Sequence, residues 1–196
     1  MVMMPLNKYD WSERYAFVQD KFGLSWQIMK TAYNTVNQKI TPCLLFVGNN
    51  FGNAQAAVNY YTQLFPQSSI NSIKLYDENE GHGAGKVKHS QFILDGKVFM
   101  AMDGHGNHAF AFNEGISFVV DCKDQKEIDY YWETLTADGG KESMCGWLKD
   151  KFGVSWQIVP AMLGKLTSNP ATAQKVMQAV MQMKKLDITT LEKAAE

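Results

Sequence analysis

The sequence is poor in the features that would assign it quickly. It has 3 cysteines, Cys43, Cys122 and Cys145, in unrelated contexts and no C-x-x-C pair. An odd, scattered set excludes a disulfide framework and suggests reduced thiols, so the cytoplasm is the expected compartment. There is no excess of one charge: 19 basic and 20 acidic side chains leave a net −1. That balance supplies no electrostatic footprint for nucleic acid or an anionic membrane, and neither is expected as a partner. A basic start followed by an apolar stretch, as in a signal peptide, is missing, as is any uncharged run near the ~18 residues a membrane span needs. What remains is 45% apolar and 20% charged over 196 residues, the composition of a globular protein with one good core.

A repeat is the most informative feature present. Asp20-Lys-Phe-Gly-Leu-Ser-Trp-Gln-Ile28 returns as Asp150-Lys-Phe-Gly-Val-Ser-Trp-Gln-Ile158, differing only at Leu24 and Val154. Each copy reads as a strand, a tight Asp-Lys-Phe-Gly turn and a second strand. A full set of elements precedes the second copy, whereas only 19 residues precede the first. Residues 1–30 are therefore expected to form an orphan hairpin resembling the end of a module. Residues 31–39 read as a polar linker.

From residue 40 the elements recur in order. A strand over Cys43–Val47 leads to a helix for which Asn53 is the expected cap and Ala56, Ala57, Tyr60, Tyr61 and Leu64 the apolar stripe. Pro66 stops that helix. Strands over Ser69–Tyr76, Val87–Leu94 and Val98–Met102 follow, the last two joined by Asp95-Gly96, a strong hairpin signal. The pattern restarts with a strand over Ile116–Val120, a helix from about Asp124 to Ala137, and strands around Met144–Leu148 and Val154–Val159. Residues 170–185 read as an amphipathic helix with Val176, Ala179, Val180 and Met183 on one face. The expected fold is α+β: two β-α-β-β-β modules (about 40–103 and 115–160) forming a cup-shaped sheet, with a C-terminal helix and the extra N-terminal hairpin.

The hairpin turn fixes which side chains share a face. Pairing outward from Asp95-Gly96 sets Leu94 opposite Lys97, Ile93 opposite Val98, Phe92 opposite Phe99, Gln91 opposite Met100, Ser90 opposite Ala101, His89 opposite Met102 and Lys88 opposite Asp103. Alternation then puts His89, Gln91, Met100 and Met102 on one face and Phe92 and Phe99 on the other. A histidine and a glutamine among methionines suit a ligand-lined surface better than a dry core. His89 is the candidate general acid/base; Gln91, Met100, Met102, Asp103, Trp147, Trp156 and Gln157 are candidate ligand-binding residues. Each also has a plain structural use, since tryptophans fill cores and Gln157, repeated as Gln27, can bond the hairpin backbone. Gly81-His-Gly-Ala-Gly-Lys86 lacks one residue and the Ser/Thr of a phosphate-binding loop. Asp103-Gly-His-Gly-Asn-His108 has metal-binding side chains with nothing fixing their geometry.

Several motifs together resemble the PhnB-like family of the vicinal-oxygen-chelate (glyoxalase/bleomycin resistance/dioxygenase) superfamily. They are Ile40-Thr41-Pro42, Ala56-Ala57-Val58-Asn59-Tyr60-Tyr61, Leu64-Phe65-Pro66, Phe99-Met100-Ala101-Met102-Asp103, Phe112-Asn113-Glu114, Tyr131-Trp132, Cys145-Gly146-Trp147-Leu148-Lys149-Asp150 and Val176-Met177-Gln178-Ala179. The resemblance covers about residues 40–194. It implies a cup around a small-molecule site, commonly in homodimers, in proteins that range from lyases and dioxygenases to drug-sequestering binders. Some members carry a 3-demethylubiquinone-9 3-methyltransferase designation, but methyl transfer needs a nucleotide-type cofactor site for which no motif is evident, and no cofactor is expected. Many relatives hold a divalent metal at four strand positions. Here those positions fall near Pro42, at Met100, near Gly115–Ser117 and at Gln157, none a histidine or carboxylate, so no metal is expected either. The expected function is metal-independent small-molecule binding. An enzyme of the same superfamily, or a non-catalytic half of a tandem protein, is the alternative.

Overall fold

The computed structural model describes residues 1–30 and 38–196; most of the expected linker lies outside the described residues. The chain divides into two compact units, Met1–Thr41 and Pro42–Glu196. The first is a three-stranded antiparallel sheet, β1 (Val2–Tyr9), β2 (Ser12–Gln19) and β3 (Ser25–Met29), in that order. A two-stranded hairpin was expected; β1 adds a third strand because the Asp10-Trp11 turn folds the first eight-residue strand back onto β2. An isolated two-stranded ribbon is marginal, so the third strand is what gives this small sheet a chance of standing.

The second unit holds two four-stranded mixed sheets. In the first, β4 (Cys43–Phe46), β5 (Ser69–Leu75), β6 (Val87–Leu94) and β7 (Lys97–Asp103) lie in the order β4-β7-β6-β5, with α1 (Ala54–Leu64) on one face. In the second, β8 (Ser117–Cys122), β9 (Lys141–Glu142), β10 (Trp147–Lys149) and β11 (Ser155–Pro160) lie in the order β8-β11-β10-β9, with α2 (Gln125–Thr136) on one face. β4 and β8 pair in parallel with the last strand of their own module, and the other pairs are antiparallel. The two β-α-β-β-β modules are thus present as the chain order implied.

Each helix buries its stripe against the strands of its own sheet. Ala54, Ala57, Val58, Tyr61 and Leu64 of α1 and Ile128, Tyr131, Trp132 and Leu135 of α2 are buried. The α1 stripe is rotated from the expected one: Ala56 is exposed, and Ala54 and Val58 take its place inward. Rings from both modules interlock, with Phe65 stacked on Tyr131 (5.1 Å) and Trp156 (5.3 Å) and Phe99 set edge-on to Phe118 (5.2 Å). Each large buried side chain contributes about 1.5–3 kcal/mol, which is why the modules share one core.

The C-terminal region has three helices, α3 (Leu163–Thr167), α4 (Pro170–Gln182) and α5 (Ile188–Ala194), rather than one. Asn169 caps α4 by accepting from Ala171 N–H (3.0 Å), with Pro170 at the first turn, where its missing N–H costs nothing. Val176, Val180, Leu186 and Leu191 form a second, smaller core beside Cys145 and Val159. No described helix is long and apolar enough to cross a membrane.

Candidate functional site

The β6–β7 register matches the expected pairing from the turn outward: Leu94↔Lys97, Ile93↔Val98, Phe92↔Phe99, Gln91↔Met100 and Ser90↔Ala101. Ser90, Phe92 and Ala101 are fully buried toward α1 and the shared core. The opposite face of the sheet carries two rows. One runs Cys43, Met100, Gln91, Ser72 across β4, β7, β6 and β5; the next has Leu45 beside Met102 and His89 beside Lys74. Cys43, Leu45, His89, Gln91, Met100 and Met102 are all half-buried. The structure therefore brings His89, Gln91, Met100 and Met102 together on one accessible sheet face.

Burial lowers the His89 pKa, and the neighbouring Lys74 ammonium lowers it further. With an ordinary value near 6.5, the ring is then neutral at pH 7 and can both donate and accept a hydrogen bond. The face is apolar apart from that imidazole, the Gln91 amide and the Ser72 and Lys74 edge.

Asp103 lies elsewhere. Its side chain is buried, Oδ1 accepts from Gly52 N–H (2.7 Å) and Ala54 N–H (3.3 Å), and Oδ2 accepts from Val87 N–H (2.9 Å). It does the capping expected of Asn53, whose own side chain makes no cap bond. A carboxylate reaching across from β7 satisfies two backbone donors at the start of α1 and one at the start of β6, a long-range arrangement with no local signature. Trp156 is also inward, 3% exposed, packed on Tyr61, Phe65 and Phe118, with Nε1 donating to Asp150 (2.9 Å). The structure does not bring Asp103 or Trp156 to the accessible face.

Trp147 and Gln157 face outward on the second sheet, where they are cross-strand partners. Gln157 donates from Nε2 to Ser117 Oγ (2.8 Å), so two of the four metal-ligand positions close on each other. Beside them Lys149 pairs with Glu114 (2.6 Å), holding the Glu114 carboxyl below its usual range. Ser155, cross-strand from Lys149, is 1% exposed, and its Oγ has no hydrogen-bond partner among the described residues. Of this polar group, Ser117 falls at an expected metal-ligand position, whereas Lys149 and Ser155 were not singled out from sequence, although alternation from Gln157 along β11 points to Ser155.

Met100, Ser117 and Gln157, with Pro42 beside Cys43, offer one thioether, one hydroxyl and one amide already hydrogen-bonded to that hydroxyl. That donor set does not fit a divalent metal. Among the described residues, no three His, Cys, Asp or Glu side chains converge. Two surface cavities lie away from these faces: one of about 560 Å³ between the end of α1 and the start of α2, the other of about 400 Å³ between residues 47–50 and 108–111. Neither is lined by any of the expected ligand residues.

Comparison with known proteins agrees with this architecture. Residues 38–159 match the family model described as 3-demethylubiquinone-9 3-methyltransferase. Among solved structures, a Bacillus cereus PhnB protein bearing that methyltransferase designation is 42% identical, with a TM-score of 0.58, over 63% of this chain and 100% of its own. The protein PA1353 from Pseudomonas aeruginosa, 21% identical with a TM-score of 0.53 over 63% of this chain and 98% of its own, shares the fold. No curated protein matches the chain.

Proposed function

The chain belongs to the 3-demethylubiquinone-9 3-methyltransferase family, the PhnB-like proteins, and from that premise we propose that it binds a small organic molecule, without a metal, on the outer face of the first sheet. The observation that carries this is the placement of His89 and Gln91 in a half-buried field of Cys43, Leu45, Met100 and Met102. The apolar field would hold the body of the ligand. The neutral imidazole and the primary amide would anchor its carbonyl or hydroxyl groups, with Lys74 favouring an acidic substituent at the edge. Trp147 and Gln157 on the second sheet extend the candidate surface.

A sheet face covers a ligand from one side, whereas small-molecule sites bury most of the ligand surface. Enclosure by a second copy belongs to the proposal, in a homodimer, and the cytoplasm is the proposed compartment. Native mass spectrometry of the purified full chain tests this reading. The expected result is a dimer retaining an organic molecule and no stoichiometric metal, with Gln91→Leu and His89→Ala each cutting retention at least tenfold. A metal held at one equivalent, or a ligand kept undiminished by both variants, overturns it.

The neutral His89 favours one second reading, an enzyme in which this ring moves a proton. Turnover with a pH–rate limb abolished by His89→Gln would support it; stoichiometric binding with no turnover would favour the binder.

A further inference from the structure

One row of side chains crosses the outward face of the second sheet and combines two features that cost the fold free energy. The register sets Lys141 of β9 opposite Lys149 of β10, Lys149 opposite Ser155 of β11, and Ser155 beside Ser117 of β8. Like charges directly opposite one another on neighbouring strands are destabilising, and so is a buried hydroxyl without a hydrogen bond. Lys141 and Lys149 are the first case. Ser155, 1% exposed and with an Oγ that has no partner among the described residues, is the second.

The row is short of acceptors, not of donors. Ser117 Oγ accepts from Gln157 Nε2 (2.8 Å), and among the described residues no acceptor takes its own proton. Lys149 meets the Glu114 carboxylate (2.6 Å), the one acid paired with either lysine among the described residues, and the Glu114 side chain is 63% exposed. Two ammonium groups and two hydroxyls thus share a single exposed carboxylate. In the adjoining row Trp147 lies opposite Gln157 and Gln157 beside Val119, so an indole and a valine flank the donors. To reach Ser117, the Gln157 amide turns back by one row toward Ser155.

We propose that this row anchors an organic carboxylate. Its oxygens accept from Ser117 Oγ, Ser155 Oγ and Lys149 Nζ, its carbon body packs on Trp147 and Val119, and Lys141 adds attraction at the sheet edge. The inference rests on the proposed function, in which Trp147 and Gln157 extend the ligand surface, and it names the class of ligand. In the free chain Glu114 shows what Lys149 takes; a bound acid replaces that carboxylate, and Gln157 releases Ser117 as it enters. Hydrogen bonds to a charged acceptor are the stronger kind, so an acid is preferred over its neutral amide.

Amide and indole NMR of the full chain, titrated with benzoate, benzamide and inorganic phosphate, tests this. Benzoate is expected to shift the Ser117 and Ser155 amides and the Trp147 indole saturably, and to bind about tenfold more tightly than benzamide. Lys149→Met is expected to weaken benzoate by about the same factor, whereas Glu114→Gln, which removes the competing carboxylate, tightens it. A salt bridge that served only the fold would give both variants the same sign. Ser155→Ala is expected to weaken benzoate without lowering the melting temperature, because its Oγ bonds nothing in the free chain. The inference is overturned if no saturable shift occurs, or if benzamide or phosphate binds as tightly as benzoate. It is equally overturned if Glu114→Gln fails to tighten binding, or if Ser155→Ala lowers the melting temperature. Shifts confined to Gln91 and Ser72 overturn it while leaving the proposed function standing. Ligand retention that ignores His89→Ala and Gln91→Leu overturns the proposed function without moving the benzoate titration.

Discussion

The hairpins at Asp20 and Asp150 have the same internal bonds and opposite environments. Asp20 Oδ1 accepts from Phe22 N–H (2.9 Å) and Leu24 N–H (3.0 Å); Asp150 Oδ1 accepts from Phe152 N–H (2.9 Å) and Val154 N–H (3.0 Å). Each Oδ2 takes the indole N–H six residues on. Gly23 and Gly153 both close the turn at positive φ, +87° and +84°, a conformation glycine adopts without penalty. Nine residues therefore suffice to specify the turn, and they do not specify whether it is buried. Burial comes from β8, α2 and Tyr61, supplied in one place only.

The largest expected contrast is at the indoles. Trp156→Ala empties a site between Tyr61, Phe65 and Phe118 and is expected to cost about 3–5 kcal/mol. Trp26→Ala removes a ring that is 39% exposed and should move the calorimetric unfolding temperature far less. Equal shifts in the two variants would break the comparison. Next come the carboxylates. Asp150→Asn turns an amide nitrogen toward donors in a buried site and is expected to cost about 2–4 kcal/mol by denaturant titration. Asp20→Asn leaves donors that water can reach, so a comparable loss there would mean that the first hairpin is covered in solution.

Tyr61→Phe sharpens the comparison further, since it deletes a side-chain bond to Asp150 that has no counterpart described at Asp20. A loss of about 1–2 kcal/mol is expected, with the Asp20 and Trp26 resonances unmoved. The smallest effect is on titration. The Trp26 indole bond, with the turn amides, lowers the Asp20 pKa below its ordinary value near 4. Its stabilising contribution is present above that value and is lost as pH falls through the folded pKa. Burial raises the Asp150 pKa despite the Tyr61 and Trp156 bonds, so its contribution is present below the ordinary value and is lost as pH rises through the folded pKa. Carboxyl-carbon NMR should place the two midpoints on opposite sides of the ordinary aspartate value; midpoints on the same side would show that the two environments do not differ as described.

Local signals read well where they were dense. Asp95-Gly96 set the β6–β7 register, and with it the shared face of Met100 and Gln91 and the inward face of Phe92, because a two-residue turn leaves one pairing. Sparse or distant signals read badly. Asn53 sits where a cap belongs, yet Asp103 does the capping from fifty residues along the chain. Trp156 alternates inward against rings contributed by α1 and β8, so its use as core depended on elements remote in sequence. Ser155 passed unnoticed because a serine carries no sign of burial by itself.

The sequence alone determined the family, the two-module order, the turn chemistry of both hairpins and the alternation that sorts His89 and Gln91 from Phe92. These follow from covalent spacing, turn stereochemistry and the two-residue period of a strand, all local physics. Tertiary structure decided which of two near-identical hairpins is buried, which carboxylate caps α1, and that Gln157 is held by Ser117. Those outcomes depend on desolvation and on partners brought together from far along the chain, and a residue's own neighbours in sequence carry no record of either.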